Sequence, residues 1–130
     1  MEITDLSKNE HFLIHIIREF DFLRYHYGYN ICGIVYGAGK VPSLSFMNFV
    51  NRIKIHVIGD ENYLYTVFIQ KKRLFKIKKI NISNYYNHFS SDMKNNTNYS
   101  LSEQSFFVKT HLTSIISGEM WIDELLKSLK

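Results

Sequence analysis

Residues 52–57 read Arg-Ile-Lys-Ile-His-Val, and this alternation of basic and β-branched side chains decides the fold class. Successive side chains of a β-strand point to opposite faces, so the run predicts a strand with one buried face and one solvated face. Turn-forming residues occupy positions 59–62, and a second run rich in β-formers covers 63–69. We therefore predict that the two runs pair as an antiparallel hairpin.

Weaker strand signals lie on both sides of this hairpin. An apolar segment at 31–36 and the run Leu-Ser-Phe-Met at 44–47 predict two short strands before it, and 74–82 predicts a further strand after it. The sequence therefore predicts an antiparallel sheet of three to five strands.

Helix signals occur before and after the strands. Ser7 and Glu10 have the spacing of a capping box, which predicts a helix that begins there and ends at about Tyr27, before Gly28. The same capping pattern at 100–103 predicts a second helix up to Gly118, and an apolar stripe at 122–129 predicts a short third one. Segregated helices and strands indicate a single α+β domain over residues 1–130.

Composition limits the class of protein. The 130 residues are 45% hydrophobic and 22% charged, which is the balance of one globular domain. Cys32 is the one cysteine, so no intramolecular disulfide is expected and a reducing compartment fits best. The N-terminus lacks the basic region of an export signal and no apolar run approaches membrane-spanning length, so we expect a cytoplasmic protein without a membrane partner. The Asn- and Ser-rich stretch at 90–100 predicts a long mobile loop.

Basic residues are concentrated in one segment. Residues 71–79, which we call the basic strip, hold six of the 16 basic residues and no acid, whereas the rest of the chain has 10 basic and 12 acidic residues. Such cations beside a ring suit phosphates and a stacked base. The alternative, which we favour, is an edge strand whose lysines prevent unwanted strand pairing. The candidate binding residues are Lys71, Lys72, Arg73, Phe75, Lys76, Lys78 and Lys79.

One helix face offers metal-ligating residue types. His11, His15 and Glu19 follow one another at four-residue spacing, so all three point the same way on a helix. The pattern lacks the glutamate beside the first histidine that metalloproteases use as a base. We expect a solvated helix face and no metal site.

Three other motifs receive structural interpretations. Residues 33–40 are glycine-rich and end in lysine, but they lack the glycine spacing and the Ser or Thr of a phosphate loop, so we expect a turn. Cys32 has apolar neighbours, and we expect a buried thiol. The acidic pairs at 60–61 and 123–124 are sequence neighbours that do not face each other on a helix, and we expect solvated charges. The sequence therefore predicts no catalytic residue and no cofactor.

The chain resembles a family in pattern. Residues 20–29 read Phe-Asp-Phe-Leu-Arg-Tyr-His-Tyr-Gly-Tyr, an amphipathic helix ending in Tyr-Gly-aromatic, and strands near Phe46, Ile55 and Phe68 precede a late helix closing as Ile-Ile-Ser-Gly-Glu at 115–119. Over nearly its whole length this pattern resembles small bacterial polymorphic-toxin immunity proteins and their uncharacterised relatives. The resemblance implies an α+β fold, no catalytic signature, and binding of a toxin partner through a variable surface, with no residue carried over as a site.

These observations lead to two hypotheses and a third, less favoured one. The first is a non-enzymatic protein-binding module that inhibits a toxin-like partner by occluding its active site. The second is a nucleic-acid-binding protein that uses the basic strip, which the acidic remainder disfavours by weakening long-range attraction. An enzyme built on His11, His15 and Glu19 is the third.

Overall fold

A computed structural model describes residues 3–36, 41–59, 65–89 and 100–129, with residues 3–10 and 87 described by their backbone alone. The strands are β1 (Asn30–Val35), β2 (Ser43–Asn48), β3 (Ile53–Gly59), β4 (Tyr65–Arg73) and β5 (Lys76–Asn81). The helices are α1 (Ile3–Phe20), α2 (Phe22–Tyr27), a 3₁₀ helix (Ile82–Tyr85), α3 (Tyr86–Phe89), α4 (Leu101–His111), α5 (Thr113–Ile116) and α6 (Ile122–Ser128).

The first helix differs from the prediction at its start and in its continuity. It begins at Ile3, so the predicted start at Ser7 is wrong, because Ile3 and Leu6 continue the apolar helical spacing toward the N-terminus. The helical segment also divides at Asp21 into α1 and α2. Its predicted end is confirmed: Gly28 has a φ of 74° and its backbone N–H donates to the carbonyl of Leu23.

The five strands form one antiparallel sheet in the order β1-β2-β3-β4-β5, so each strand pairs with its neighbour in sequence. The predicted hairpin is confirmed, with Ile55 opposite Ile69 and Val57 opposite Val67, whereas its turn at 60–64 lies outside the described residues. Along β3, Ile53, Ile55 and Val57 are buried and the residues between them are half-buried. One face of the sheet therefore forms the core, as the alternation predicts.

The described helices pack on that core face. The rings of Phe20 in α1 and Phe46 in β2 lie 6.2 Å apart. The hydroxyl of Tyr29 donates to the carbonyl of Ile116 at 2.7 Å, which joins the start of β1 to α5, and burial raises the pKa of this phenol far above its usual value. We call the opposite side of the sheet the open face, because no described helix packs against it.

The C-terminal half follows the predicted order with one break. The capping box at the start of α4 is confirmed, since the Glu103 amide donates to the Ser100 hydroxyl and the Ser100 amide donates to the Glu103 carboxylate. The second predicted helix is divided at Leu112, where the backbone departs from helical angles. The predicted loop at 90–100 lies outside the described residues except for Ser100. Among the described helices, none combines the length and apolarity needed to cross a bilayer.

The fold is thus α+β, with a five-stranded antiparallel meander, an N-terminal helix and C-terminal helices.

Candidate functional site

The basic strip is a hairpin rather than one strand. Lys71, Lys72 and Arg73 end β4, and Arg73 pairs with Lys76, so the turn between the strands consists of Leu74 and Phe75 alone. The prediction of a single strand over 74–82 is therefore wrong at its start. The reason is that β4 runs four residues beyond 69, which puts the turn inside the strip. β5 is an edge strand, as the favoured interpretation expects, but β4 has a partner on each side.

The β4–β5 hairpin extends past its neighbour β3. The last β3 pairing joins Ile53 to Lys71, and the amide of Lys72 donates to the carbonyl of Arg52 at 3.1 Å. Arg73 and the turn lie beyond this last contact with β3. Since a strand rises about 3.4 Å per residue, two residues extend the hairpin by about 7 Å. The hairpin tip therefore projects from the sheet beside the β2–β3 turn.

The two neighbouring turns carry exposed apolar side chains. In the β4–β5 turn Leu74 and Phe75 are 80% and 102% exposed, and in the β2–β3 turn Phe49 and Val50 are 67% and 90% exposed. We call residues 49–52 together with 72–76 the double-turn end. Large apolar side chains gathered on a protein surface mark contact sites more often than scattered ones do.

Cationic residues lie in the same two segments as these apolar side chains. Arg52 belongs to one turn, and Lys72, Arg73 and Lys76 flank the other; all four are exposed. No acidic residue falls within the two segments of the double-turn end, which the structure describes in full. We call these four side chains the cationic collar; the double-turn end thus presents exposed apolar and cationic side chains together.

Both turns contain a residue in the left-handed region of backbone conformation. Arg52 has a φ of 58° and Leu74 a φ of 47°, and among the described residues these are the non-glycine positions with positive φ. A residue with a Cβ is disfavoured there by about 1–2 kcal/mol relative to glycine. Neither exposed side chain recovers this cost by burial. Such outliers occur disproportionately where the side chain has a function.

Hydrogen bonds fix the β2–β3 turn to the helical layer. The side-chain amide of Asn48 donates to the carbonyl of Tyr27 at 2.8 Å, and its oxygen accepts from the backbone N–H of Asn51. The side-chain amide of Asn51 donates to the carbonyl of Ser117 at 2.9 Å. Gly118 has a φ of 85°, and a Cβ there would lie 2.5 Å from the Asn51 side chain. The turn is therefore held in one geometry before any partner binds.

Charge is segregated between the two layers. Within the five described strands all charged residues are basic and none is Asp or Glu. The described acids lie on helices and their connections, for example Glu19, Glu103 and Glu124. Burial and the neighbouring Arg73 lower the pKa of Lys71, while Glu124 of α6 opposes the shift, which places Lys71 toward the helical layer. The sheet thus forms the basic side of the molecule.

The open face carries two parallel rows of side chains. Register places Ser45, His56 and Phe68 side by side on β2, β3 and β4, and we call them the ring row. The imidazole Nδ1 of His56 lies 2.5 Å from the Ser45 hydroxyl oxygen.

The second row consists of Lys54 on β3, Gln70 on β4 and Lys79 on β5. It lies two residues from the ring row along each strand, and we call it the lysine row. The ammonium of Lys79 lies 4.4 Å from the Phe68 ring centroid. Burial, Lys54 and Lys79 lower the pKa of His56, so this imidazole stays neutral at neutral pH.

The predicted helix-face histidines are not brought together as a metal site. His15 Nε2 lies 3.8 Å from a Glu19 oxygen, but Glu19 accepts hydrogen bonds from Ser102 and Ser105 of α4. No group of three ligating side chains with metal geometry occurs among the described residues. Glu19 therefore links two helices.

The predicted burial of Cys32 is wrong. The thiol is exposed, because β1 is an edge strand and its register shifts between Ile31 and Gly33, which leaves Cys32 unpaired in a bulge. Gly33 itself lies within β1, and residues 37–40 of the glycine-rich segment are outside the described residues. Asp123 and Glu124 are exposed in the first turn of α6, as expected, and the acidic pair at 60–61 is outside the described residues.

Four contact residues of the double-turn end are not predicted from the sequence: Phe49, Val50, Arg52 and Leu74. The segment Asn48-Phe49-Val50-Asn51 carries a usable signal, since two asparagines enclosing apolar residues between strands are typical of a turn that exposes them. No sequence signal relates this turn to residues 74–75, because their proximity depends on strand register.

The chain matches no protein-family model, no curated protein and no solved structure. The resemblance to immunity proteins therefore stays a prediction that rests on the sequence pattern.

Proposed function

We propose that the protein is a non-enzymatic protein-binding module that docks its partner through the double-turn end. In its concrete form it is an immunity-type inhibitor in a bacterial cytoplasm, and the projecting hairpin occludes the active site of a toxin-like partner. The observation that carries the proposal is the pair of neighbouring turns whose four large apolar side chains are exposed together with the cationic collar.

The composition of this end favours a protein partner. Aromatic and arginine side chains dominate the binding energy of protein interfaces, and the double-turn end supplies Phe49, Phe75, Arg52 and Arg73. The turn fixed by Asn48 and Asn51 loses little conformational entropy on docking, which favours affinity. Electrostatic complementarity defines the partner: an apolar pocket with an acidic rim. A basic phosphate-binding groove would repel this collar, so the proposed target is an acid-lined cleft.

Co-expression with the product of the adjacent gene tests the proposal. We expect a complex, and protection from the partner's toxicity, with the wild type and with Phe106→Ser, which removes another exposed ring, from α4. The double variant Leu74→Ser, Phe75→Ser should bind about 1,000-fold more weakly, since two central anchors contribute about 2 kcal/mol each. Equal binding by all three proteins would place the interface elsewhere, and absence of both complex and protection would remove the proposal.

A vesicle control distinguishes a protein partner from a lipid surface, because apolar tips with cations also suit anionic membranes. Sedimentation with phosphatidylserine vesicles should leave the wild type in the supernatant. Co-sedimentation that Leu74→Ser, Phe75→Ser abolishes and Phe106→Ser preserves would contradict the proposal.

A further inference from the structure

We infer that the open face is a second binding surface, independent of the double-turn end, and that its ligand is a short stretch of single-stranded nucleic acid. The juxtaposition of the ring row with the lysine row carries this inference. It does not depend on the proposed protein partner.

The ring row provides the stacking surface. His56 and Phe68 are directly opposite each other on β3 and β4, where side chains on one face stand about 5 Å apart at Cβ. Both side chains are half-buried, so their positions are fixed while part of each ring stays accessible. The lowered pKa of His56 keeps the imidazole neutral, which favours stacking over simple charge pairing. Rings on a sheet are the usual platform for unpaired bases.

The lysine row provides the phosphate contacts. Lys54 and Lys79 lie one step along the strands from the rings, about 7 Å for two residues. A nucleic-acid strand that crosses the sheet would place its bases on the ring row and its phosphates along the lysine row. Gln70, between the two lysines, offers both a hydrogen-bond donor and an acceptor.

The basic strip contributes only some of its cations to this face. Strand alternation directs Lys72 and Lys79 to the open face and Lys71 and Lys78 to the other side. The five described strands contain no acidic residue, so none of their side chains on the open face repels a polyanion. Phosphate recognition therefore involves the sheet surface rather than the strip as a continuous segment.

The contact between Lys79 and Phe68 does not block stacking. An exposed cation–π contact contributes about 2- to 5-fold to an equilibrium, whereas a base stacked on an aromatic side chain contributes about 5- to 150-fold. Exchange of the ammonium for a base on the ring is favourable, and the released ammonium then pairs with a phosphate. A protein ligand is disfavoured here because neither row contains a tryptophan, tyrosine or arginine, the residue types that most often anchor protein interfaces.

Fluorescence anisotropy with labelled eight-nucleotide oligouridine and oligothymidine tests the inference, with a DNA duplex of equal length as comparison. We expect micromolar to sub-millimolar affinity for the single strands and weaker binding of the duplex. The two lysines of the lysine row, Lys54 and Lys79, give a salt slope of about −1.4, so binding weakens about 7-fold between 50 and 200 mM salt.

Matched variants assign the surface. Lys79→Gln and Phe68→Leu should each weaken single-strand binding at least 5-fold, and circular dichroism checks that both remain folded. Lys109→Gln is the control, since Lys109 makes a similar contact with the Phe22 ring, at 4.9 Å, on the helical side. Leu74→Ser, Phe75→Ser should bind oligonucleotides like the wild type, which separates this surface from the double-turn end.

Three results would overturn the inference. They are no binding at 1 mM protein, a duplex bound as tightly as the single strands, or equal loss of affinity in Lys79→Gln and Lys109→Gln. Full affinity in a folded Phe68→Leu protein would likewise exclude stacking on the ring row.

Discussion

Replacement of Leu74 by glycine should change the stability of the fold by no more than about 1 kcal/mol in either direction. Leu74 has a φ of 47°, which costs a residue with a Cβ about 1–2 kcal/mol relative to glycine. Against that gain, glycine loses about 0.5–1 kcal/mol more in conformational entropy on folding. The side chain is 80% exposed, so removal of its buried fifth costs about 0.3–0.6 kcal/mol. The net change in the free energy of unfolding therefore lies between about −0.6 and +1.2 kcal/mol.

Ile77→Gly on the same hairpin is the matched control. Ile77 is 60% exposed and lies within β5, and its φ is not positive. Glycine there loses about 0.5–1 kcal/mol in entropy and about 0.6–1.2 kcal/mol of apolar burial. We therefore expect this variant to be destabilised by about 1–2 kcal/mol, in contrast to Leu74→Gly.

Urea unfolding followed by the fluorescence of the single tryptophan measures both variants. Trp121 is buried at the start of α6, so its emission reports loss of the core. Midpoints at constant m-value convert directly into differences in free energy of unfolding. If Leu74→Gly loses as much stability as Ile77→Gly, the backbone is unstrained at position 74 and the reasoning from strain to function fails.

Three further predictions concern the framework of the sites. Gly118→Ala should lower the free energy of unfolding in urea by about 2–3 kcal/mol, because residue 118 has a left-handed backbone and the new Cβ meets the Asn51 side chain. Unchanged stability would show that the Asn51 side chain moves aside at no cost. Tyr29→Phe should lose about 1–2 kcal/mol, since it leaves the buried carbonyl of Ile116 without its donor, and unchanged stability would contradict that hydrogen bond. The pKa of His56 is lowered in the folded state, so below about pH 6.5 the unfolded chain binds more protons and the free energy of unfolding falls as the pH falls. His56→Gln should flatten this decline between pH 7 and 5. An unaltered pH profile would refute the lowered pKa of His56.

The sequence predicts the fold class because the two-residue and 3.6-residue apolar periods are local properties. The alternation at 52–57 appears in the structure as buried Ile53, Ile55 and Val57, and the capping box at Ser100 starts α4 as expected. The predicted start of α1 is wrong because the capping pattern at 7–10 lies inside the helix, where it has the same sequence as a pattern at the N-terminus of a helix. Local patterns thus identify elements better than they fix boundaries.

The candidate site was only partly predictable. The basic strip is visible in composition, but its division into a hairpin depends on the length of β4, which β3 and β5 determine by pairing. The proximity of the two turns and the two rows of the open face also follow from register, a property of strands distant in sequence. Positive φ at Leu74 has no sequence signal, because glycine or asparagine is the residue that normally marks such a turn.

Solvent accessibility of the double-turn end within a complex tests the central claim most directly. On a Cys32→Ser background, Phe75→Cys and Phe106→Cys each present one thiol at an exposed position, and the rate of thiol alkylation reports access to it. With the product of the adjacent gene bound, we expect the rate at position 75 to fall at least tenfold and the rate at position 106 to stay unchanged. An unchanged rate at position 75 in a demonstrated complex would contradict the account.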